Sequence, residues 1–523
     1  MLIAKYTANA SGVLPTFNDG YQYTVNETEA NGVYTVELFS DDDFTSCSFK
    51  EKTDLLTVDY LKVTDKVTNM YAMFRDCSKL TRLDISNFDT SNVVNMQYIF
   101  QNCSQLTQLD VSTWDTSNVI NMANMFRDCS KLTRLDISNF DTSNVTTMAN
   151  MFQNCSKLTK VVASNLDTSK VANMGYMFHN CEKLIQLDVS SFDTANVNTM
   201  DYMFRNCSSL TQLDVSNFDT SNLTSMNSLF YGCSKLTQLD VSNWDTSKVT
   251  SMGSIFSNCS NLTQLDVSNW DTSKVTNFTN MFNACKSLKI LDVSKWDVGN
   301  ATIFSNMFQY CSSVTQLYLS EWDTKNITNM ENMFSYCSQL TQLNVDKWDT
   351  SNVTNMMKMF RYCSSLTLLD LSNFDTSNVT NMGNMFEYCS KLQHVGMLYC
   401  DLDTVNTIAN ALPTVSGLTR TIYIQDTKSD IYTPRDSIIF YDYMGSRTTI
   451  NLPQPLNNGD MLIWDDSLRK YIIRKSDSSV IEINTNVKYV LDVFRPYYRI
   501  ETDEKESPPS SMTVKLYISK DVE

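Results

Sequence analysis

Residues 73–98 read MFRDCSKLTRLDISNFDTSNVVNMQY, and this pattern returns every 26 residues, without insertion or deletion, as far as Cys389. Cysteine marks the register at Cys77, Cys103, Cys129, Cys155, Cys181, Cys207, Cys233, Cys259, Cys285, Cys311, Cys337, Cys363 and Cys389. A fixed short period predicts a solenoid with one coil per repeat. A single coil cannot bury its own apolar face, so neighbouring coils must stack.

Within the coil that starts at Cys77, Leu83-Asp84-Ile85-Ser86 alternates apolar and polar residues, which predicts a short strand with Leu83 and Ile85 facing inward. Asp89-Thr90-Ser91-Asn92 follows, a run of helix-capping residue types, ahead of Val93, Met96 and Phe100 at helical spacing. The expectation is an α/β solenoid, a right-handed stack of strand–turn–short-helix coils flanked by small β modules. Apolar positions accept only swaps of similar volume: Met96 becomes Phe278 or Phe304, and Val93 becomes Leu223, Ala301 or Ile327. Close-packed interiors behave in this way.

The run MFxxCxxLTxLDVSxWDTSxVTxM, in Met333–Met356 with Asn344 at the Asp place and Asp346 at the Ser place, resembles the BspA-type leucine-rich repeat of bacterial surface proteins. The resemblance covers roughly residues 51–426. It implies a leucine-rich-repeat-like surface used in extracellular adhesion or recognition, and it brings no catalytic residues.

The order of the chain suggests three parts: an N-terminal β cap at 1–50, the repeats at 51–426 and a C-terminal β module at 427–523. The cap contains the alternating stretches TVNETE and GVYTVELFS, divided by Asn and Gly. Residues 55–70 form a degenerate first coil, as expected where one face must end a stack. The last hundred residues gather prolines and the alternating runs SIIFYDYM, DMLIWDD, KYIIRKS, VIEIN and MTVKLYIS. INLPQPLNNGDMLIWDDSLRKYIIRKSDSSVIEI and the later PYYRIETDEKESPPSSMTVKLYIS resemble the endings of tail-tip and tail-fibre proteins of phages that infect Gram-positive bacteria. That resemblance implies a virion component, made in the cytoplasm and released by lysis. Met1-Leu2-Ile3-Ala4-Lys5-Tyr6-Thr7 does not read as a secretory signal, which agrees with such a route.

A net charge of −17 argues against nucleic acid and anionic membranes as partners. No run of apolar residues is long enough to predict membrane insertion. Fifteen cysteines without a CxxC pair read as buried apolar fillers rather than as zinc ligands, and no cofactor is implied. Only His179 and His394 are present, so a repeated Ser–His–Asp arrangement is unavailable to the coils and a non-enzymatic role is expected.

Three columns of residues are candidates for function. Asp89, Asp115, Asp141 and their equivalents to Asp375 never vary; they read as a calcium ladder or as helix caps, with capping preferred. Asp84, Asp110, Asp136, Asp188, Asp214, Asp240, Asp266 and Asp292 form an outward column beside Arg82, Gln108 and Arg134. This is a flat polar face, either suited to glycan hydroxyls or simply solvated. Trp244, Trp270, Trp296, Trp322 and Trp348 occupy one register, as a sugar-stacking surface or as a buried corner. The expected partners are a host-surface glycan or protein, and other virion proteins through a terminal β module, with homo-oligomers allowed. The expected location is a phage tail or surface, or alternatively a bacterial cell surface.

Overall fold

The computed structural model describes residues 1–345, 347–392 and 394–398, and beyond them only the backbone of nine strands. The chain falls into two compact units, Met1–Leu288 and Lys289–Glu523.

The first unit opens with β1 (Leu2–Ala8), β2 (Thr16–Phe17), β3 (Thr24–Ala30), β4 (Val33–Phe39), β5 (Cys47–Ser48) and β6 (Leu55–Leu61). β1 pairs antiparallel with β4 and with β6, and β6 pairs in parallel with β7 (Arg82–Leu83). The strand order is β3-β4-β1-β6-β7, so the cap and the first coils share one sheet, and β6 is where antiparallel pairing gives way to parallel. Phe49, one residue out of the repeat register, still stacks on Phe74 at 5.6 Å with planes 8° apart. The cap therefore enters the aromatic column despite its offset.

From Met70 onward each coil is joined to the next through its backbone. Isolated parallel bridges run Asn69–Asn95, Asn95–Asn121, Asn121–Thr147, Thr147–Asn173 and on to Ser251–Asn277. The short helix expected after each Asp-Thr-Ser-Asn is absent: no α-helix occurs among the described residues. In its place stands a ribbon of turns. Between Met70 and Cys77, the amides of Met70, Ala72, Phe74 and Asp76 donate to the carbonyls of Asn95, Gln97, Ile99 and Gln101 in the next coil at 2.8–2.9 Å. The amides of Met73, Arg75 and Cys77 donate to Met70, Ala72 and Phe74 within their own coil. Alternate amides thus serve the stack and the turn. An α-helix could not do this, because its N–H groups are consumed along its own axis.

The backbone conformation that enforces the alternation is left-handed at two positions per coil, such as Tyr98 (φ 61) and Asn102 (φ 58), or Asn150 (φ 59) and Asn154 (φ 62). Asn and Asp tolerate this region better than most side chains. They hold the position before cysteine in seven of the eight coils from Asp76 to Asn258, the exception being Gly232. Gly232 shares the left-handed conformation (φ 74), and an added Cβ there would meet the Asn206 side-chain oxygen.

The interior of the stack is a set of side-chain columns. Phe74, Phe100, Phe126, Phe152, Phe178, Phe204, Phe230, Phe256 and Phe282 lie ring on ring, with successive centroids 5.4–5.9 Å apart. Each column cysteine from Cys77 to Cys285 is buried and donates its S–H to a phenylalanine carbonyl at 3.1–3.2 Å. The thiols are free and act as small fillers with a donor to place.

The strand positions are paired less completely than the alternation suggests. β8 (Arg134–Asp136) and β9 (Lys160–Val162) form a full parallel pair, with Arg134 opposite Lys160. In the coils that follow, the strand position is held by single bridges, Lys160–Gln186 and Gln186–Gln212.

The second unit repeats this plan. β10 (Gln316–Tyr318) pairs in parallel with β11 (Gln342–Asn344), and β12 (Leu368–Asp375) with β13 (His394–Leu398). Phe308, Phe334, Phe360 and Phe386 form a ring stack of their own at 5.5–5.7 Å. The remaining strands are β14 (Arg420–Ile424), β15 (Ser437–Tyr441), β16 (Arg447–Asn451), β17 (Met461–Asp465), β18 (Lys470–Arg474), β19 (Val480–Ile483), β20 (Leu491–Asp492), β21 (Tyr498–Thr502) and β22 (Met512–Leu516). The alternating runs read from the sequence therefore fall on strands. The sheet order β12-β13-β14-β21-β22 carries the coil strands into the last hundred residues.

One buried polar column stitches neighbouring coils. Thr90, Thr116, Thr142, Thr168, Thr194, Thr220 and Thr246 are at most 2% exposed. Each hydroxyl donates to the backbone carbonyl of the aspartate 25 residues on, as Thr168 does to Asp193 at 2.7 Å. Replacing Thr168 by Val keeps the shape and removes that bond, leaving a buried carbonyl short of a partner. The unfolding free energy, measured from the denaturant midpoint, is expected to fall by about 1–3 kcal/mol. An unchanged midpoint would mean the column is not part of what holds the coils together.

Candidate functional site

A site on a repeat protein can use only side chains that the stack leaves outside. The five tryptophans do not qualify: Trp244, Trp270, Trp296, Trp322 and Trp348 are only 1–3% exposed. Trp244 and Trp270 stack within the first unit at 6.2 Å, and Trp322 and Trp348 within the second at 6.1 Å. The Nε1–H of Trp244, Trp270, Trp322 and Trp348 donates to a carbonyl 29 residues earlier, at 3.0–3.3 Å. A flat ring sits between coils with its single donor satisfied, so this column is core and the sugar-stacking reading is corrected.

The Asp89 column is occupied as well, though not as a helix cap. In all twelve members, from Asp89 to Asp375, Oδ1 accepts the backbone N–H two residues on, at 2.8–3.3 Å. These are Asx turns, which Asp forms by mimicking a backbone carbonyl. They aim the threonine that follows into the interior.

The outward column stands where the alternation places it. Asp110, Asp136, Asp188, Asp214, Asp240, Asp266 and Asp292 are exposed and Asp84 is half-buried. Their carboxylates also close turns: in all eight, Oδ1 accepts the N–H of the serine two residues on at 3.0–3.1 Å. In six of them, the serine hydroxyl adds a second bond at 2.6–2.7 Å. One oxygen of each carboxylate is thus used locally while the group remains at the surface.

These two columns share an electrostatic signature. The serine hydroxyl, aided by the serine amide, holds Asp84, Asp110, Asp136, Asp188, Asp214 and Asp292 below the usual carboxylate range. The same donors lower Asp115, Asp167, Asp219 and Asp271. At Asp84, Asp136 and Asp292 the field of the neighbouring cations is weak beside these bonds.

Along this face the strand between β7 and β8 is not formed, and a groove of ≈ 900 Å³ opens there. It is lined by Arg82, Gln108, Asp110, Arg134, Asp136 and Asn139, among others. Two guanidinium groups, two carboxylates and two amides give donors and acceptors in balance, a set that suits a polyhydroxylated or peptide ligand.

Sequence reading missed a tyrosine ladder that is exposed at Tyr310 and Tyr388. In the second unit the position before cysteine changes from Asn to Tyr310, Tyr336, Tyr362 and Tyr388, whose rings stack at 4.2–4.4 Å. Arg361 lies over three of these rings, at 5.0–5.9 Å from their centroids, and pairs with Glu387 at 2.6 Å. In the first unit the same position is an amide ladder, with Asn180 donating to Asn154 and Asn206 to Asn180 at 2.7 Å. The Asn-to-Tyr change before cysteine was the available signal. The Nδ1 of His179 meets the Gln153 amide at 3.1 Å, and burial pulls its pKa down to about 4.

The model of a family described as "Mycoplasma protein of unknown function, DUF285" matches residues 45–160, 132–238, 211–318 and 304–418. Among curated proteins there is no significant match. A solved structure, the Toll–Spätzle complex from Drosophila, contains a chain 14% identical, aligned over 71% of this chain and 47% of that one, with a TM-score of 0.25. This chain thus spans less than half of that chain's length, and a score so low carries no argument about fold.

The lowered aspartates give the stack a one-sided dependence on pH. A group whose folded pKa lies below its unfolded value, about 3.9 for Asp, stabilises fully above that value and loses its contribution as pH falls through the folded one. Stability from this source should be flat between neutrality and about pH 5 and should fall steeply below about pH 4. Denaturant midpoints measured across pH would show this, and Asp→Asn substitution at several outward positions should flatten the fall. A loss of stability beginning near neutrality would contradict the assignment.

Proposed function

The chain belongs to the DUF285 family, and on that premise we propose that it is a non-enzymatic recognition protein whose coil strands present an outward face to a glycan or protein on a host surface. The coils form a right-handed leucine-rich-repeat-like solenoid of the BspA type. The chain is a tail or fibre component of a phage virion, attached to other virion proteins through its last hundred residues. What carries the reading is the division of labour among the columns. Phe, Cys, Trp and Thr are spent on the interior, and the Asp89 column on turns. The outward strand column is left at the surface with carboxylates held ionised, and a groove opens beside it. Repeats of this kind extend a surface rather than build a reaction centre.

The phage assignment is supported by the likeness of residues 450–483 and 496–519 to tail proteins. The description of the family as mycoplasma proteins favours a second reading, a bacterial cell-surface adhesin of the BspA type. Mass spectrometry of purified virions and of surface-shaved uninfected cells separates the two. The first reading expects the chain in particles at stoichiometric level. Its absence from particles and presence on uninfected cells would replace that reading with the adhesin.

A further inference from the structure

The Asp84 and Arg82 columns are both uncharged in two successive coils. At the register of Asp84, ten of the twelve coils carry Asp or Val, while two successive coils carry Tyr318 and Asn344. At the register of Arg82 the same two coils carry Gln316 and Gln342. β10 and β11 place Gln316 opposite Gln342 and Tyr318 opposite Asn344 in unbroken parallel register. In the coils before and after, Asp292 and Asp370 restore the carboxylate.

Tyr318 is 58% exposed, the one aromatic ring in the two outward columns, with exposed Ile290 and Leu368 in the coils on either side. Its hydroxyl donates to Gln316 Oε1 at 3.0 Å, which lays the ring along the strand rather than out into solvent. A tethered aromatic face beside three primary amides, on strands about 4.8 Å apart, offers a C–H-binding surface next to donors and acceptors for hydroxyl groups. The absence of a formal charge from all four side chains matches a ligand that carries none. Lys347, three residues past Asn344, is paired with Glu321 at 2.6 Å, and an acidic glycan would meet Asp292 and Asp370 at the margins.

We infer that Gln316, Tyr318, Gln342 and Asn344 form a subsite for a neutral saccharide, with one sugar ring stacked on Tyr318 and the amides reading its hydroxyls. This rests on the recognition reading and deepens it, since it names the ligand class and the coils that take it. Tyr318 supplies most of the contact area, and indole or phenol faces pack well against apolar surfaces of this size. The flanking amides set orientation.

The sequence itself supplies a clean variant. Tyr318→Asp restores the residue of the column, and Ser320 stands two residues on, where the other coils have the serine that closes the turn. This variant should fold as well as the parent chain. Isothermal titration of the full chain with maltohexaose, cellohexaose and hexa-N-acetylchitohexaose is expected to detect binding of at least one. Tyr318→Asp and Tyr318→Ala should weaken it about tenfold or more, while Lys50→Ala, outside the outward strand columns, leaves it unchanged. Binding of none of the three, or binding unaffected by both Tyr318 variants, overturns the inference. Adhesion of the labelled full chain to host cells is measured in parallel. Adhesion that survives Tyr318→Asp leaves the recognition reading standing and removes only the saccharide site, whereas no adhesion at all removes the reading beneath it.

Discussion

The constraint on which the whole molecule depends is that alternate amides of each turn ribbon must find a carbonyl in the next coil. Met70, Ala72, Phe74 and Asp76 reach Asn95, Gln97, Ile99 and Gln101, and each later coil of the first unit is built on the same pattern. These amides are taken up by the neighbour, so a coil shifted out of register would strand a row of buried donors, each costing about 1–3 kcal/mol. The repeat length can therefore not drift. An interval of constant length over thirteen cysteines is what this bonding requires.

Every side-chain column follows from that fixed interval. When equivalent atoms recur at coil spacing, a side chain must stack well on copies of itself or be tied to the backbone of its neighbour. Phenyl and indole rings meet the first condition, at 5.4–5.9 Å for the phenylalanines of the first unit. Threonine, cysteine and asparagine meet the second, through Thr168 to Asp193, Cys155 to Phe126 and Asn144 to Ser117. Charge does not stack well on itself. The aspartates are accordingly confined to the surface and to turns, where serine donors offset the repulsion between neighbours.

The period, the core and the faces were legible because they rest on apolar pattern alone: Leu83, Ile85, Val93, Met96 and Phe100 are all buried as their spacing implies. The same spacing misled on conformation. Val93, Met96 and Phe100 recur at three and four residues, as on a helix, yet the segment is a turn ribbon, because left-handed residues at Tyr98 and Asn102 reverse its winding. Asn or Asp before cysteine was a readable sign of that conformation. Threonine in Asp-Thr-Ser reads as a surface turn, and its burial is visible only once its partner carbonyl in the next coil is known. The outward aspartates were placed by alternation, whereas Tyr318 stood in the sequence only as an interruption of that column. Its importance lies in its exposure, which no pattern gives.

The most direct test of the bonding account compares two internal deletions in the full chain. Removing residues 155–180 excises one whole coil and brings Cys181 to the place of Cys155. Removing residues 155–179 shifts every later coil by one residue. Equilibrium unfolding should show the first chain folded, with a single cooperative transition and a modest loss of stability. The second should lose cooperative folding of the coils beyond the deletion, because their amides would face the wrong carbonyls and their phenyl rings would leave the column. If the one-residue shift were tolerated as well as the whole-coil deletion, the stack would not depend on coil-to-coil register, and the account would be wrong.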